Sequence, residues 1–144
     1  MTTAPAETTI GRSRISRQGS DLTIYAYGLM MHESMAAAEV LAAEGIDCTV
    51  VDLLTLQPLD VETVLDAAKA TGKALIVHED TLTGGFGGEI AALIAEHAFE
   101  YLDAPVRRLC APDIPAMPYH PNMEHFFMPD REKIAAAARE LAAY

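Results

Sequence analysis

The chain has 144 residues, 51% of them hydrophobic, and its formal net charge at pH 7 is −11. A chain of this length is expected to fold as one domain around a single core. Acidic residues are spread along the whole sequence, which excludes nucleic-acid binding by phosphate neutralisation and favours a basic partner protein. No apolar run approaches the roughly 18 residues of a membrane-spanning helix, and residues 1–9 lack the pattern of a signal peptide. We therefore expect a protein that is neither exported nor membrane-spanning.

The cysteine pattern favours a reducing, cytoplasmic location. Cys48 and Cys110 each lie in an apolar run that predicts a strand, and the sequence has no C-x-x-C pair. Cysteines of this kind are typical of buried structural thiols. Neither has an activating base close to it in the sequence, so nucleophilic catalysis is not indicated.

Strands and helices alternate along the predicted domain. Residues 1–14 predict a flexible N-terminal segment, because Thr, Ala and Pro dominate its first part, and residues 15–144 predict one folded domain. Apolar runs and helical spacings then predict, in chain order, strand Leu22–Tyr27, a helix that ends at Gly45, strand Cys48–Leu54, and a helix from its N-cap Asp60 to Gly72.

The second half of the sequence continues this alternation. Its predicted elements are strand Ala74–Val77, a helix that opens at Glu89, strand Pro105–Cys110, and a last helix with Asp130 as its N-cap. Prolines at 112, 115, 118 and 121 predict an extended, non-helical segment before the last helix. Together these patterns predict an α/β fold, a three-layer α/β/α sandwich around a mostly parallel sheet of about five strands.

A glycine-rich run, Gly84-Gly85-Phe86-Gly87-Gly88, joins a predicted strand to the following helix. Glycine lets the backbone approach a neighbour closely, which suits either an anion or tight packing against the sheet or a partner subunit. The nucleotide hypothesis is disfavoured because Ile90 stands where the last glycine of G-x-G-x-x-G belongs, and Glu89 stands where a P-loop has lysine. We predict close packing and assign this run, Gly84 to Gly88, to an interface.

Two residues are weak catalytic candidates. His78 and Glu79 end a predicted strand, and an imidazole beside carboxylates could transfer protons. Adjacent strand residues point to opposite faces, so both could act on one atom only if the strand has already ended.

The remaining histidines give no better site. His120 and His125 could bind a metal, but the irregular backbone predicted between them favours a solvated or interfacial pair. His32 and His97 lie in predicted helices as exposed or packing residues. No serine lies in a G-x-S-x-G turn. The sequence therefore contains no self-sufficient active site.

Several segments stand in an order that resembles a known family. They are Val51–Asp60, Val77–Glu79, Gly84–Ile90, Asp103–Arg108, Pro118-Tyr119 and Met128–Asp130. In this order they resemble the C-terminal transketolase-type domain of the beta subunits of 2-oxo acid dehydrogenases, which act on pyruvate, branched-chain substrates or acetoin. The resemblance covers residues 11–141, nearly the whole chain.

The resemblance implies a separately encoded or excised domain that serves subunit assembly and shapes the active-site channel of a thiamine-diphosphate enzyme. In that family the alpha subunit binds diphosphate and magnesium with a Gly-Asp-Gly motif, and the activating glutamate lies in the N-terminal half of the beta subunit. This sequence has no Gly-Asp-Gly motif and begins close to where that N-terminal half should end. We therefore expect this chain alone to be inactive and to bind no cofactor, with thiamine diphosphate and magnesium on partner domains.

The resemblance also implies partners. They are the alpha subunit, an N-terminal beta-type domain, and a second copy of this chain in a homodimer. The subunit-binding domain of a dihydrolipoyl acyltransferase docks on this domain in relatives, and here Glu140 and Tyr144 would meet it. Pro118, Tyr119 and His120 are assigned to an interface with the glycine run. The alternative is an independent binding or enzymatic module that keeps the fold without the complex.

Overall fold

The computed structural model describes residues 8–144. Its elements are β1 Arg14–Arg17, β2 Leu22–Ala26, α1 Leu29–Ala43, β3 Cys48–Asp52, α2 Val61–Thr71, β4 Ala74–Thr81, α3 Gly87–His97, a short 3-10 helix Phe99–Tyr101, β5 Arg107–Ala111, α4 Pro121–Phe127 and α5 Arg131–Ala142. Within residues 8–144, none of the helices has the length and apolar character needed to cross a membrane.

The five strands form one sheet in the order β1-β3-β2-β4-β5. β1 runs antiparallel to β3, and the other neighbouring strands are parallel. The predicted α/β fold with a mostly parallel sheet is therefore confirmed. The sequence does not predict β1, because two arginines interrupt the apolar character of this four-residue edge strand.

Helices cover both faces of the sheet and create two cores. On one face, α1 and α5 pack over Ile24 and Leu75. On the other face, α2 and α3 pack over Tyr25 and Ile76. Consecutive strand residues enter opposite cores because side chains alternate across a pleated strand.

The ends of α2 and α5 follow the local rules that predict them. The Asp60 side chain accepts a hydrogen bond from the Thr63 N–H, and the Asp130 side chain accepts one from the Lys133 N–H. Gly72 ends α2 with a φ of 68°, in the left-handed region where glycine is favoured.

The segment before β1 is tied to the domain. The Gly11 N–H donates to Thr55 Oγ1 at 3.0 Å, and the Ser13 N–H donates to Asp60 Oδ2 at 2.8 Å. The sequence places the domain boundary at residue 15, whereas the contacts within residues 8–144 begin earlier. Residues 1–7, also part of the predicted flexible segment, lie outside the described residues. The difference arises because the partners of this segment are more than forty residues away in the sequence.

The proline-rich segment is not extended throughout, and that prediction is wrong for residues 121–127. α4 begins at Pro121, because proline in a first helical turn loses no hydrogen bond. His120 Nδ1 accepts from the Asn122 N–H at 3.3 Å at this end. At the other end, Lys133 Nζ donates to the carbonyl oxygens of His125 and Met128, at 2.5 and 2.6 Å.

Candidate functional site

A cleft of about 840 Å³ opens at the carboxyl edge of the sheet, between the first turns of α2 and α3. One side, here called the loop wall, is formed by residues 57–61 and follows β3. The other side, the glycine wall, is formed by residues 84–89 and follows β4. The lining residues are Gln57, Pro58, Leu59, Val61, Gly84, Gly85, Phe86, Gly88, Glu89 and Leu93. Loops after the carboxyl ends of parallel strands are where α/β domains commonly bind their partners.

Buried carboxylates hold the loop wall. Asp60, 5% exposed, accepts hydrogen bonds from the Ser13 N–H and the Thr63 hydroxyl. Burial alone would raise the pKa of Asp60, but the hydrogen bonds from Ser13 and Thr63 and the charge of Arg12 together lower the pKa below its ordinary value. At the start of the same loop, Asp52 Oδ2 accepts from Arg14 Nη2 at 2.7 Å. The wall is therefore fixed by contacts with β1 and the segment that precedes it.

The glycine wall is fixed by His78. A Cβ on Gly85 would lie 2.6 Å from His78 Cε1, and a Cβ on Gly87 would lie 2.6 Å from His78 Cδ2. Only glycine leaves room for the ring at these two positions. The close packing predicted for the run is thus packing against the domain's own sheet. α3 begins at Gly87, two residues before the predicted Glu89, because the Gly87 N–H finds its acceptor on His78.

His78 connects three strands of the sheet. Its Nε2 accepts from the Gly87 N–H at 3.2 Å and lies 3.1 Å from Cys110 Sγ on β5. The Tyr27 ring, directly after β2, stacks on the imidazole with centroids 6.0 Å apart and planes inclined by 16°. The Gly87 hydrogen bond to Nε2 assigns the proton of the neutral ring to Nδ1, which is buried and has no hydrogen-bond partner within residues 8–144.

The His78 and Cys110 pair is uncharged at neutral pH. Burial raises the pKa of Cys110 to about 11. Burial also lowers the pKa of His78, an effect that Asp80 opposes. A reactive cysteine needs a thiolate, which a neighbouring cation favours and burial disfavours. This thiol and imidazole therefore stabilise the fold and do not form an activated nucleophile.

The other predicted site residues do not line the cleft. β4 extends to Thr81, so His78 and Glu79 are both in the strand and occupy opposite faces, with His78 buried and Glu79 exposed. Tyr119 and His120 are exposed at the start of α4, beside a half-buried Pro118. Glu140 pairs with Arg107 at 3.1 Å near the end of α5, where Tyr144 is also exposed. None of the three groups lines the cleft.

The cleft does not suit a diphosphate or its metal. Among residues 8–144, Glu89 is the only charged residue in its lining, and a carboxylate repels phosphate oxygens. Within residues 8–144, no three His, Cys, Asp or Glu side chains are grouped so that they could hold a metal ion.

Sequence reasoning did not assign Cys110, Tyr27 or the loop wall to a site. Cys110 is 32 residues from His78 in sequence, and only the pairing of β4 with β5 brings them together. The loop wall gives one signal, since its residues 57–60 belong to the segment Val51–Asp60 on which the family resemblance depends.

The fold is a doubly covered α/β domain with an apolar cleft at the carboxyl edge of its sheet. The profile of the family described as "Transketolase, C-terminal domain" matches residues 11–134. This chain belongs to that family.

Its relatives include beta subunits of 2-oxo acid dehydrogenases. The chain is 50% identical to the 2-oxoisovalerate dehydrogenase subunit beta of Bacillus subtilis (strain 168), over 94% of this chain and 41% of the relative. It is 42% identical to the mitochondrial pyruvate dehydrogenase E1 component subunit beta of Dictyostelium discoideum, over 92% of this chain and 37% of the relative. The resemblance to such beta subunits is therefore confirmed, and the chain spans about two fifths of the length of these two.

A solved structure shows the same domain. A split-gene transketolase, described as an inactive beta4 tetramer, superposes with a TM-score of 0.86 at 26% identity. The match covers 99% of this chain and 46% of the transketolase chain. The chain is thus a transketolase C-terminal-type domain that corresponds to the C-terminal part of these beta subunits.

Proposed function

We propose that this chain is an assembly domain of a thiamine-diphosphate-dependent 2-oxo acid dehydrogenase or transketolase-like enzyme, and that it has no catalytic activity alone. The observation that carries this proposal is the apolar cleft, whose two walls are held by buried polar groups although the cleft contains no catalytic pair. A rigid apolar surface of this kind suits a permanent contact with another protein.

A second copy of the chain is the proposed occupant of the cleft, giving a homodimer. Val61 is 36% exposed at one wall, which leaves apolar surface for a partner to cover. A self-complementary contact closes as a two-fold dimer, the commonest symmetric assembly. The alpha subunit and an N-terminal beta-type domain would complete the enzyme, as the names of the relatives suggest.

Thiamine diphosphate and magnesium are proposed to bind to those partner domains. The poor fit of the cleft to a diphosphate supports this assignment. Calorimetry of the chain with thiamine diphosphate and magnesium should show no saturable heat. Saturable binding at micromolar cofactor would contradict the proposal. A cytoplasmic location also belongs to the proposal, supported by Cys48 and Cys110 both being free thiols.

The cleft can be tested with a matched pair of substitutions. Val61→Lys places a charge in the cleft, whereas Val40→Lys places one on α1, where the valine is 44% exposed and outside the cleft. We expect Val61→Lys to weaken self-association at least tenfold in sedimentation experiments, because the lysine would be desolvated. Val40→Lys should associate like the unmodified chain. Equal association of all three proteins, or a strictly monomeric chain at high micromolar concentration, would refute the cleft as the dimer contact.

Docking of an acyltransferase's subunit-binding domain is a further part of the proposal. Glu140 is exposed and already paired with Arg107, so its charge is partly neutralised, and Tyr144 is 67% exposed. Binding of a labelled subunit-binding domain should weaken as salt is raised and should weaken further in Glu140→Lys. Binding that ignores both changes would remove the electrostatic contact.

A further inference from the structure

His78 lies directly behind the glycine wall, with its side chain fully buried. Gly85 and Gly87 contact its ring so closely that neither position has space for a Cβ. The Gly87 N–H, at the first residue of α3, donates to Nε2 at 3.2 Å. The ring therefore determines where α3 starts and where the glycine wall stands.

We propose that His78 is a positioning residue for the cleft, which holds the glycine wall through its neutral imidazole and releases it when Nε2 takes a proton. The inference rests on the proposed function, because it concerns the regulation of the same cleft.

Protonation removes the acceptor on which the wall depends. In the neutral ring, Nε2 offers one lone pair, and the Gly87 N–H and the Cys110 thiol both lie within reach of it. In the imidazolium both ring nitrogens are donors. Two N–H groups would then face each other across 3.2 Å, so the first turn of α3 must move away. A buried donor left without an acceptor is destabilising, so the contact that holds the wall is lost.

The surroundings of the ring keep it neutral at pH 7. Burial is the main effect that lowers the pKa of His78; Asp80 opposes it from the same strand, and Arg108 on β5 adds to it. Tyr27 and Cys110 are uncharged at this pH, since burial raises their pKa values to about 12 and about 11. On α3, which also packs against the ring, the carboxylate of Glu89 is exposed, and Glu79 points to the other face of the sheet.

The direction of the His78 pKa shift determines the pH range in which the glycine wall should be released. An unfolded histidine has a pKa of about 6.5, and the folded-state pKa of His78 lies below its ordinary value. The glycine wall should therefore be in place at pH 7 and should be released as the pH falls through the folded-state pKa of His78, which lies below about 6.5.

The first experiment follows the hydrogen bond itself by NMR on the full ¹⁵N-labelled chain. At pH 7.5 the Gly87 amide should be protected from exchange, and its signal should shift with the same midpoint as the His78 ring nitrogens as the pH is lowered to 5.0. The Gly88 amide, whose acceptor is the Gly85 carbonyl oxygen, is the internal comparison. A Gly87 amide that does not change while His78 takes up a proton would overturn the proposal.

The second experiment measures self-association between pH 7.5 and 5.0 by sedimentation. His78→Gln keeps a side-chain acceptor but cannot take up a proton in this range, and His32→Gln removes an exposed histidine on α1. The dissociation constant should rise at least tenfold at low pH for the unmodified chain and for His32→Gln, and less than twofold for His78→Gln. A His78→Gln chain that follows the unmodified curve would overturn the proposal.

The two experiments separate this inference from the proposed function. Absence of self-association at every pH would refute the proposed homodimer, while the Gly87 amide would still decide whether His78 positions the wall. If His78→Gln does not fold, the NMR titration of the unmodified chain decides alone.

Discussion

Gly87→Ala is the sharpest test of how the glycine wall is held. The new Cβ would lie 2.6 Å from His78 Cδ2 and 3.2 Å from Ile76 Cγ2. The first contact is closer than side chains tolerate, and the ring cannot withdraw because Gly85 also packs against it. Overpacking of this kind costs about 1–3 kcal/mol.

The hydrogen bond from the Gly87 N–H to Nε2 would also be strained, which adds about 1 kcal/mol. Against this, alanine is the better helix former by up to about 1 kcal/mol. The net destabilisation expected for Gly87→Ala is therefore about 1–3 kcal/mol, the overpacking term being the decisive one.

Gly88→Ala is the matched control, one residue further along the first turn of α3. Its new Cβ would have Arg108 Nη1 as its nearest neighbour at 3.5 Å, which is ordinary contact with the end of a flexible side chain. This substitution should leave stability unchanged or raise it by up to about 1 kcal/mol.

Urea unfolding followed by far-UV circular dichroism at pH 7.5 compares the two variants with the unmodified chain. Gly87→Ala should be less stable than Gly88→Ala by about 1–4 kcal/mol, with an unchanged dependence on urea. Gly87→Ala should destabilise the domain less in a His78→Ala background than in the unmodified chain, because removing the ring makes room for the new methyl group. Equal stability of the two alanine variants would refute the role assigned to the ring.

Two further predictions concern Asp60 and Cys110. Asp60→Ala should destabilise the domain by about 2–3 kcal/mol in the same assay, because α2 loses its N-cap and the Ser13 N–H loses its acceptor. As a control, His32→Ala at an exposed position should change the free energy of unfolding by less than about 0.5 kcal/mol. Since the pKa of Asp60 is lowered in the folded state, the part of this stabilisation that depends on the charge should be present above pH about 4 and should be lost as the pH falls through the folded-state pKa. An Asp60→Ala difference that does not decrease as the pH falls below about 4 would contradict this. Cys110 should react with iodoacetamide at pH 8 much more slowly than a free thiol, because burial raises its pKa to about 11; a rate like that of free cysteine, measured by mass spectrometry of the intact chain, would show that the thiol is activated.

Local rules in the sequence determined much of the fold. The N-caps Asp60 and Asp130 and the left-handed Gly72 act within one helical turn, so their residue types reveal them. The short apolar run from Ala74 to Val77 likewise predicts a strand covered on both faces, and β4 is buried there. The order of motifs along the chain is specific enough by itself to indicate the family.

Other features depend on residues that are far apart in the chain. β1 is stabilised by its pairing with β3, through contacts such as Arg14 with Asp52, and its own four residues carry no strand signal strong enough to predict it. α4 forms after a run of prolines because Lys133, in the next helix, donates to the carbonyl oxygens at its end.

In the candidate site, too, the sequence determined some features and contacts between distant residues determined others. The sequence indicated that the glycine run must approach something closely, because repeated glycine removes the Cβ. It could not indicate that the neighbour is the ring of His78, held between Gly87 and Cys110, because the pairing of β4 with β5 sets that geometry. Side-chain spacing within one strand is fixed by the chain itself, whereas contacts between strands exist only after the sheet has formed.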